Sequence, residues 1–320
     1  MRLTIPDINK EINDEEILSI LEDNYSVLGP LWVKNQMEWT NEIYATFRDH
    51  DKFLIIIHLI KKTLDFYSRN FTKLTFEEFY SRDTVEIAKF NISSIAIELN
   101  IPKETARRKL AELEDEGALK NNNNRIIIDR GSYNFSKPIN SIVRISRFLS
   151  TLSEICLQKK ILDKRLTSES IEKTIKNNFS YIWKIYYELQ IPMMLSYKSL
   201  FGNLEVFHIF GTCIVNEHLS RDIKKNNDVT NREIFVQNLI NKSKKIDGLN
   251  AMSISDITGI PRATVIRKLK ILLEKNFLII DKKKHYKMAG SFVKILVQRQ
   301  RIVFNNLARL SCQVYNLTIL

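Results

Sequence analysis

Two ten-residue stretches carry the side chains best suited to chemistry in this chain. "IPKETARRKL" spans 101–110 and "IPRATVIRKL" spans 260–269, 159 positions apart. Each sets a proline ahead of a helix-forming run that carries arginine, lysine and threonine. Arginine can grip O6 and N7 of guanine with two hydrogen bonds, and glutamate can accept one from the amino group of cytosine. Threonine near a helix start can meet a phosphate or a thymine methyl. In the first copy the residues placed for this are Lys103, Glu104, Thr105, Arg107 and Arg108. In the second they are Arg262, Thr264, Arg267 and Lys268. Any one of these cations alone reads as an ordinary solvated helix face. Their recurrence in one frame is what argues for contact with DNA. Glu104 has a second reading, an i,i+4 pair with Arg108.

The elements that must position these residues recur with them. The 159-residue offset also pairs Ser94-Ile95 with Ser253-Ile254, Leu113 with Leu272, Leu119 with Leu278, and Gly131-Ser132-Tyr133 with Gly290-Ser291-Phe292. Upstream, an offset of 154 sets "NYS" at 24–26 on "NFS" at 178–180 and Ile17 on Ile171. An insertion of five residues around "KKNNDV" or "KKIDGLN" reconciles the two registers. The expectation is two homologous units, 1–160 and 161–320, each of ordinary domain size. Each unit opens with helices apolar over much of their circumference. A short helix and a turn follow, with Asn100 or Gly259 in the turn, where a left-handed backbone is cheap for those residues. Pro102 and Pro261 suit the first turn of the next helix, where no backbone donor is lost. That helix has an inner face of Ala106, Leu110 and Leu113, or Val265, Leu269 and Leu272. It ends at Gly117 or Asn276.

A short apolar hairpin comes next, turning at "NNNN" (121–124) or "KKK" (282–284). Asn121 to Asn124 with Arg125, and Lys282, Lys283 and Lys284 with His285, suit phosphates or the minor groove. A final helix closes each unit with an apolar stripe, Ile142, Ile145, Leu149, Leu152 and Cys156, or Leu296, Val303, Leu307 and Leu310. Core packing is the preferred reading of the stripe, and a homodimer through these terminal helices is its alternative use.

Helix, turn, helix and β-hairpin is the element order of a winged helix-turn-helix. "ISSIAIELNIPKETARRKLAELEDEGALK" and "MSISDITGIPRATVIRKLKILLEKNFLII" both resemble the DNA-reading module of bacterial one-component transcription regulators. The likeness to the family of the cyclic-AMP receptor protein lies in Lys103-Glu104-Thr105 followed by Arg108; that family's cupin sensor is absent. Helical flanks on both sides look more like the MarR type. The resemblance covers about 40 residues per copy, roughly 92–130 and 251–289. It implies a mainly α protein with two winged helix-turn-helix domains in tandem, arranged like a fused dimer. A recognition helix would then show its polar face to the major groove of double-stranded DNA.

The bulk composition suits that expectation. A net charge of +12 favours a polyanionic partner. The two copies differ in charge. Residues 102–151 hold ten Lys or Arg against six acidic residues, whereas 261–310 hold thirteen against two. Two unlike half-sites are therefore expected, with the second module supplying more of the salt-dependent affinity. The three cysteines, Cys156, Cys213 and Cys312, have no metal-ligand or disulfide spacing, which points to the cytosol. The polar N-terminus does not read as a signal peptide, and no apolar run is long enough to span a bilayer. No phosphate-binding glycine loop, HExxH or His/Cys cluster is present, so neither an enzyme nor a cofactor is expected. His58 and His208, inside apolar helices, read as core. Trp32, Trp39, Phe53, Trp183, Tyr186 and Tyr187 could line a pocket for a small effector, but plain core is preferred. Two other functions fit the same elements: a tandem winged-helix replication initiator, and a winged-helix module that binds an acidic protein partner.

Overall fold

Element bounds repeat at the two offsets found in the sequence. The computed structural model describes residues 10–122, 125–133, 137–219, 230–232, 234–235 and 248–319. Helices α1 (Asp14–Asp23) and α2 (Tyr25–Phe47) correspond, 154 residues on, to α8 (Ser168–Asn177) and α9 (Phe179–Phe201). Helix α3 (His50–Arg69) likewise starts 154 residues before α10 (Leu204–Leu219). Between α3 and the next pair of helices lie the short α4 (Phe76–Phe79) and strand β1 (Thr84–Ile87). Then α5 (Ile92–Glu98) and α6 (Lys103–Asp115) match α11 (Ala251–Thr258) and α12 (Arg262–Glu274) at the 159-residue offset. Strands β2 (Leu119–Asn122) and β3 (Arg125–Asp129) form one hairpin, and β4 (Leu278–Ile280) and β5 (Tyr286–Met288) the other. Helices α7 (Ile139–Gln158) and α13 (Val293–Ile319) close the two halves. The protein is mainly α-helical with small antiparallel sheets. Among the described residues, no helix is long and apolar enough to cross a membrane. The hairpin tip at Asn123 and Asn124, and most of "KKNNDV" and "KKIDGLN", lie outside the described residues.

The two halves interlock reciprocally. Helix α2 packs on α10, and α9 packs on α3; α1 packs on α13, and α8 packs on α7. One continuous core results, because each half buries its opening helices against the other. The stripe Ile142, Ile145, Leu149, Leu152 and Cys156 is buried in it, as are Val303, Leu307 and Leu310. Tyr315 of α13 donates to the Leu149 carbonyl of α7 at 2.6 Å, which fastens the two terminal helices together. The stripes are thus used within the chain.

Local signals in the sequence account for the helix–turn–helix segments. The side chains of Asn91 and Asn250 cap α5 and α11, accepting from Ser93 N at 2.7 Å and from Met252 N at 3.0 Å. Asn100 (φ 49°) and Gly259 (φ 68°) take the left-handed conformation between the helices. Pro102 and Pro261 sit one residue before the helix, at the capping position, with extended ψ near 135°. Their carbonyls accept from Ala106 N at 2.9 Å and Val265 N at 3.0 Å, so the first helical bond is made. Both second helices end in the same way. Ala118 N donates back to Leu113 O at 2.9 Å and Phe277 N to Leu272 O at 2.8 Å, across left-handed Gly117 and Asn276.

The sheets differ. In the first half β1 joins the hairpin in the order β1-β3-β2, with Thr84 opposite Asp129 and Leu119 opposite Ile128. In the second half, among the described residues, a single bridge from Leu249 to Tyr286 stands where the third strand would be.

Candidate nucleic-acid interface

Helices α6 and α12 each bury one face and expose the other. Ala106, Leu110 and Leu113 are buried, as are Val265, Leu269 and Leu272. Opposite them, Lys103, Glu104, Arg107 and Arg108 are exposed on α6, and Arg262 and Arg267 on α12. Thr105 and Thr264, in the first turns, are half-buried. Arg125 is exposed beside the first hairpin tip, and Lys282, Lys283 and Lys284 are exposed on the second. The Asp281 side chain builds that second tip. It accepts from Lys283 N and His285 N, each at 2.9 Å, while Lys284 adopts φ 61°. Those two backbone bonds hold the Asp281 carboxyl below its ordinary value, so an anionic turn carries the three lysines. His285 is half-buried beside it.

Lys268 does not join the exposed face. It is 8% exposed and pairs with Glu205 in the first turn of α10 at 3.1 Å. Its counterpart Lys109 pairs with Asp49, the capping residue of α3, at 2.7 Å, and with Glu112 at 2.9 Å. In each half, then, the lysine before the buried leucine ties the basic helix to the helix beneath it. Burial alone would raise the Asp49 carboxyl. The hydrogen bonds from Lys109 and from the backbone of Lys52 outweigh it and hold the group below its ordinary value. The same periodicity that defines the inner face reveals this role. Lys109 lies three residues after Ala106 and four before Leu113, and Lys268 stands likewise between Val265 and Leu272.

Charge pairing separates the two faces. In the first half Arg107 meets Glu104 at 3.1 Å, Arg108 meets Glu112 at 3.8 Å, and Arg125 meets Glu86 at 3.6 Å. Glu104 therefore pairs with Arg107 at i,i+3 and not with Arg108. In the second half, among the described residues, no carboxylate lies within ion-pair distance of Arg262, Arg267, Lys282, Lys283 or Lys284. Lys270, exposed on α12, extends that cationic face and meets Glu274 at 3.9 Å. Where α6 has Arg107, α12 has Ile266, an exposed apolar side chain able to touch a thymine methyl.

The seam between the halves holds a buried histidine pair. His50 of α3 and His208 of α10 lie with ring centroids 5.2 Å apart, and His208 Nε2 bonds to Asn41 at 2.6 Å. Burial pulls His50 down to about 4, although Glu205 and Asp49 oppose it. Burial and then the neighbouring His50 push His208 well below its ordinary value. Both rings are neutral at pH 7. The aromatic residues Trp39, Phe53, Trp183, Tyr186 and Tyr187 line one cavity and Trp32 another. No protein-family model, curated protein or solved structure matches this chain.

Proposed function

We propose that the chain is a sequence-specific DNA-binding transcriptional regulator, a single-chain pseudo-dimer of two winged helix-turn-helix domains. The observation that carries this reading is the exposed polar face of α12. Arg262 and Arg267 stand there free of carboxylates among the described residues, with three lysines on the adjoining hairpin tip. Cations held in fixed positions and unpaired are what a phosphate backbone and guanine edges recruit. The same frame recurs on α6, and reciprocal packing of the halves supports a fused dimer. Each half supplies one reading helix, and because the two faces differ, the target is two unlike half-sites in the major groove. Three free, buried cysteines suit a reducing cytoplasm.

Selection from a random duplex library with purified protein at near-physiological salt tests the reading. Enrichment of two different half-sites about one helical turn apart is expected. A population with no enriched sequence would remove it. A second reading draws on the exposed isoleucines Ile257, Ile266, Ile279 and Ile280 of the second half. Such side chains beside cations also suit an acidic, partly apolar protein partner, and that reading takes over if no sequence is enriched.

A further inference from the structure

Two cavities occupy related positions in the two halves. One is walled by Trp39, Ile43, Phe53, Ser141, Tyr186 and Tyr187. The other is walled by Met193, Tyr197, Phe207, Gln300, Trp32 and Val33, the same positions moved by 154 residues, or by 159 for Ser141. Their chemistry has diverged. Glu42 and Lys137 line the first, whereas among the described residues no charged side chain lines the second.

The second cavity has one feature that packing does not explain. Gln36 lines it at 3% exposure, and among the described residues neither its Nε2 nor its Oε1 meets a hydrogen-bond partner. The other amide on the wall, Gln300, is engaged, accepting from the Tyr25 hydroxyl. An amide buried with donor and acceptor both unmade is unfavourable, and an apolar side chain of similar size would suit this wall better. Both amide atoms are covered in the free protein, so a molecule in the cavity bonds to them only when the side chains over them move.

We propose that this cavity binds a small uncharged molecule, apolar over most of its surface, with one hydroxyl- or amide-like group that bonds to Gln36. Charge is disfavoured because no described residue on the wall would neutralise it. The cavity is about 50 Å³. A benzene-sized ring needs about 150 Å³, so side chains must yield. Met37 and Met193 are the ones able to, being unbranched and readily repacked. Met37 lies over Gly211 of α10, where any larger residue would collide with its thioether.

The test uses the full chain with 13C-labelled methionine methyls, titrated at pH 7 with phenol, toluene and benzoate. Phenol is expected to shift the Met37 and Met193 methyls saturably and to leave the exposed Met252 unmoved. It should bind about tenfold tighter than toluene, although toluene is the more hydrophobic. Benzoate should not bind. Gln36→Leu should remove phenol's advantage and raise the melting temperature of the free protein. Should that variant fail to fold, the wild-type ratio decides. Toluene binding as tightly as phenol, or no saturable shift at either methyl with either probe, overturns the proposal.

Discussion

The segments 92–129 and 251–288 share a frame and differ at the surface. Both have an asparagine-capped first helix, a left-handed turn residue, an inner triad of apolar residues and a lysine tethered to the helix below. Helix α6 carries four cations against four carboxylates; α12 carries four cations against one, so only the second has a strongly positive field. Arg107, Arg108 and Arg125 already face carboxylates, while Arg262 and Arg267 do not among the described residues. The difference teaches where divergence is tolerated. Buried positions of both segments answer to one interlocked core. Solvent-facing ones answer only to what binds them.

The sharpest way to break the comparison is to remove the free cations. The pair Arg262→Ala and Arg267→Ala should weaken DNA binding about 100-fold and flatten the salt dependence by about 2 in log–log slope. The pair Arg107→Ala and Arg108→Ala should weaken it by about tenfold or less, since those charges are partly neutralised. Fluorescence anisotropy across a salt series measures both, and equal losses would show that the ion pairs do not matter.

Acid should act with similar size on stability, at a seam that is not symmetric: the positions corresponding to His50 and His208 are Leu204 and Leu54. Unfolding returns a buried imidazole to an ordinary value near 6.5, so the unfolded chain takes up protons that the folded one refuses. With His50 at about 4, stability is intact above about pH 6.5. It should fall by about 3 kcal/mol as the pH drops toward 4. Urea melts over this range should show the loss, and His50→Phe should flatten it.

The lysine tethers give a smaller effect. Lys109→Met and Lys268→Met should each cost about 2 kcal/mol in urea unfolding, with Lys109 the larger because it holds two carboxylates. A change within error at Lys268 would return that residue to the exposed face. The smallest effect is expected from Glu104→Ala. Freeing Arg107 from an exposed pair should tighten DNA binding about threefold and bring the first half closer to the second.

Much of this was legible in the residues themselves. Helix starts and stops follow from local chemistry: Asn91 and Asn250 cap, Asn100 and Gly259 turn, and Gly117 and Asn276 terminate. The inner triads follow from a period of 3.6 residues, and the repeat from matching positions. Exposure of Arg107, Arg108, Arg262 and Arg267 follows from the same period. The charge of Lys268 suggests a surface cation, against its phase on the helix. Its phase points inward, and Glu205 accepts it there.

Tertiary structure alone decided how the halves meet. Nothing local says that α2 belongs on α10 and α9 on α3, because burial of apolar faces is non-directional and the partner is far away in the chain. That interlocking pairs His50 with His208, leaves Gln36 without a partner beside a cavity, and sets Glu205 under Lys268. Local sequence set the paired helix–turn–helix segments and the arginines on their outer faces, since those depend on neighbours within a few residues. Packing between distant segments determined which polar groups are paired, which are stranded and where the cavities lie.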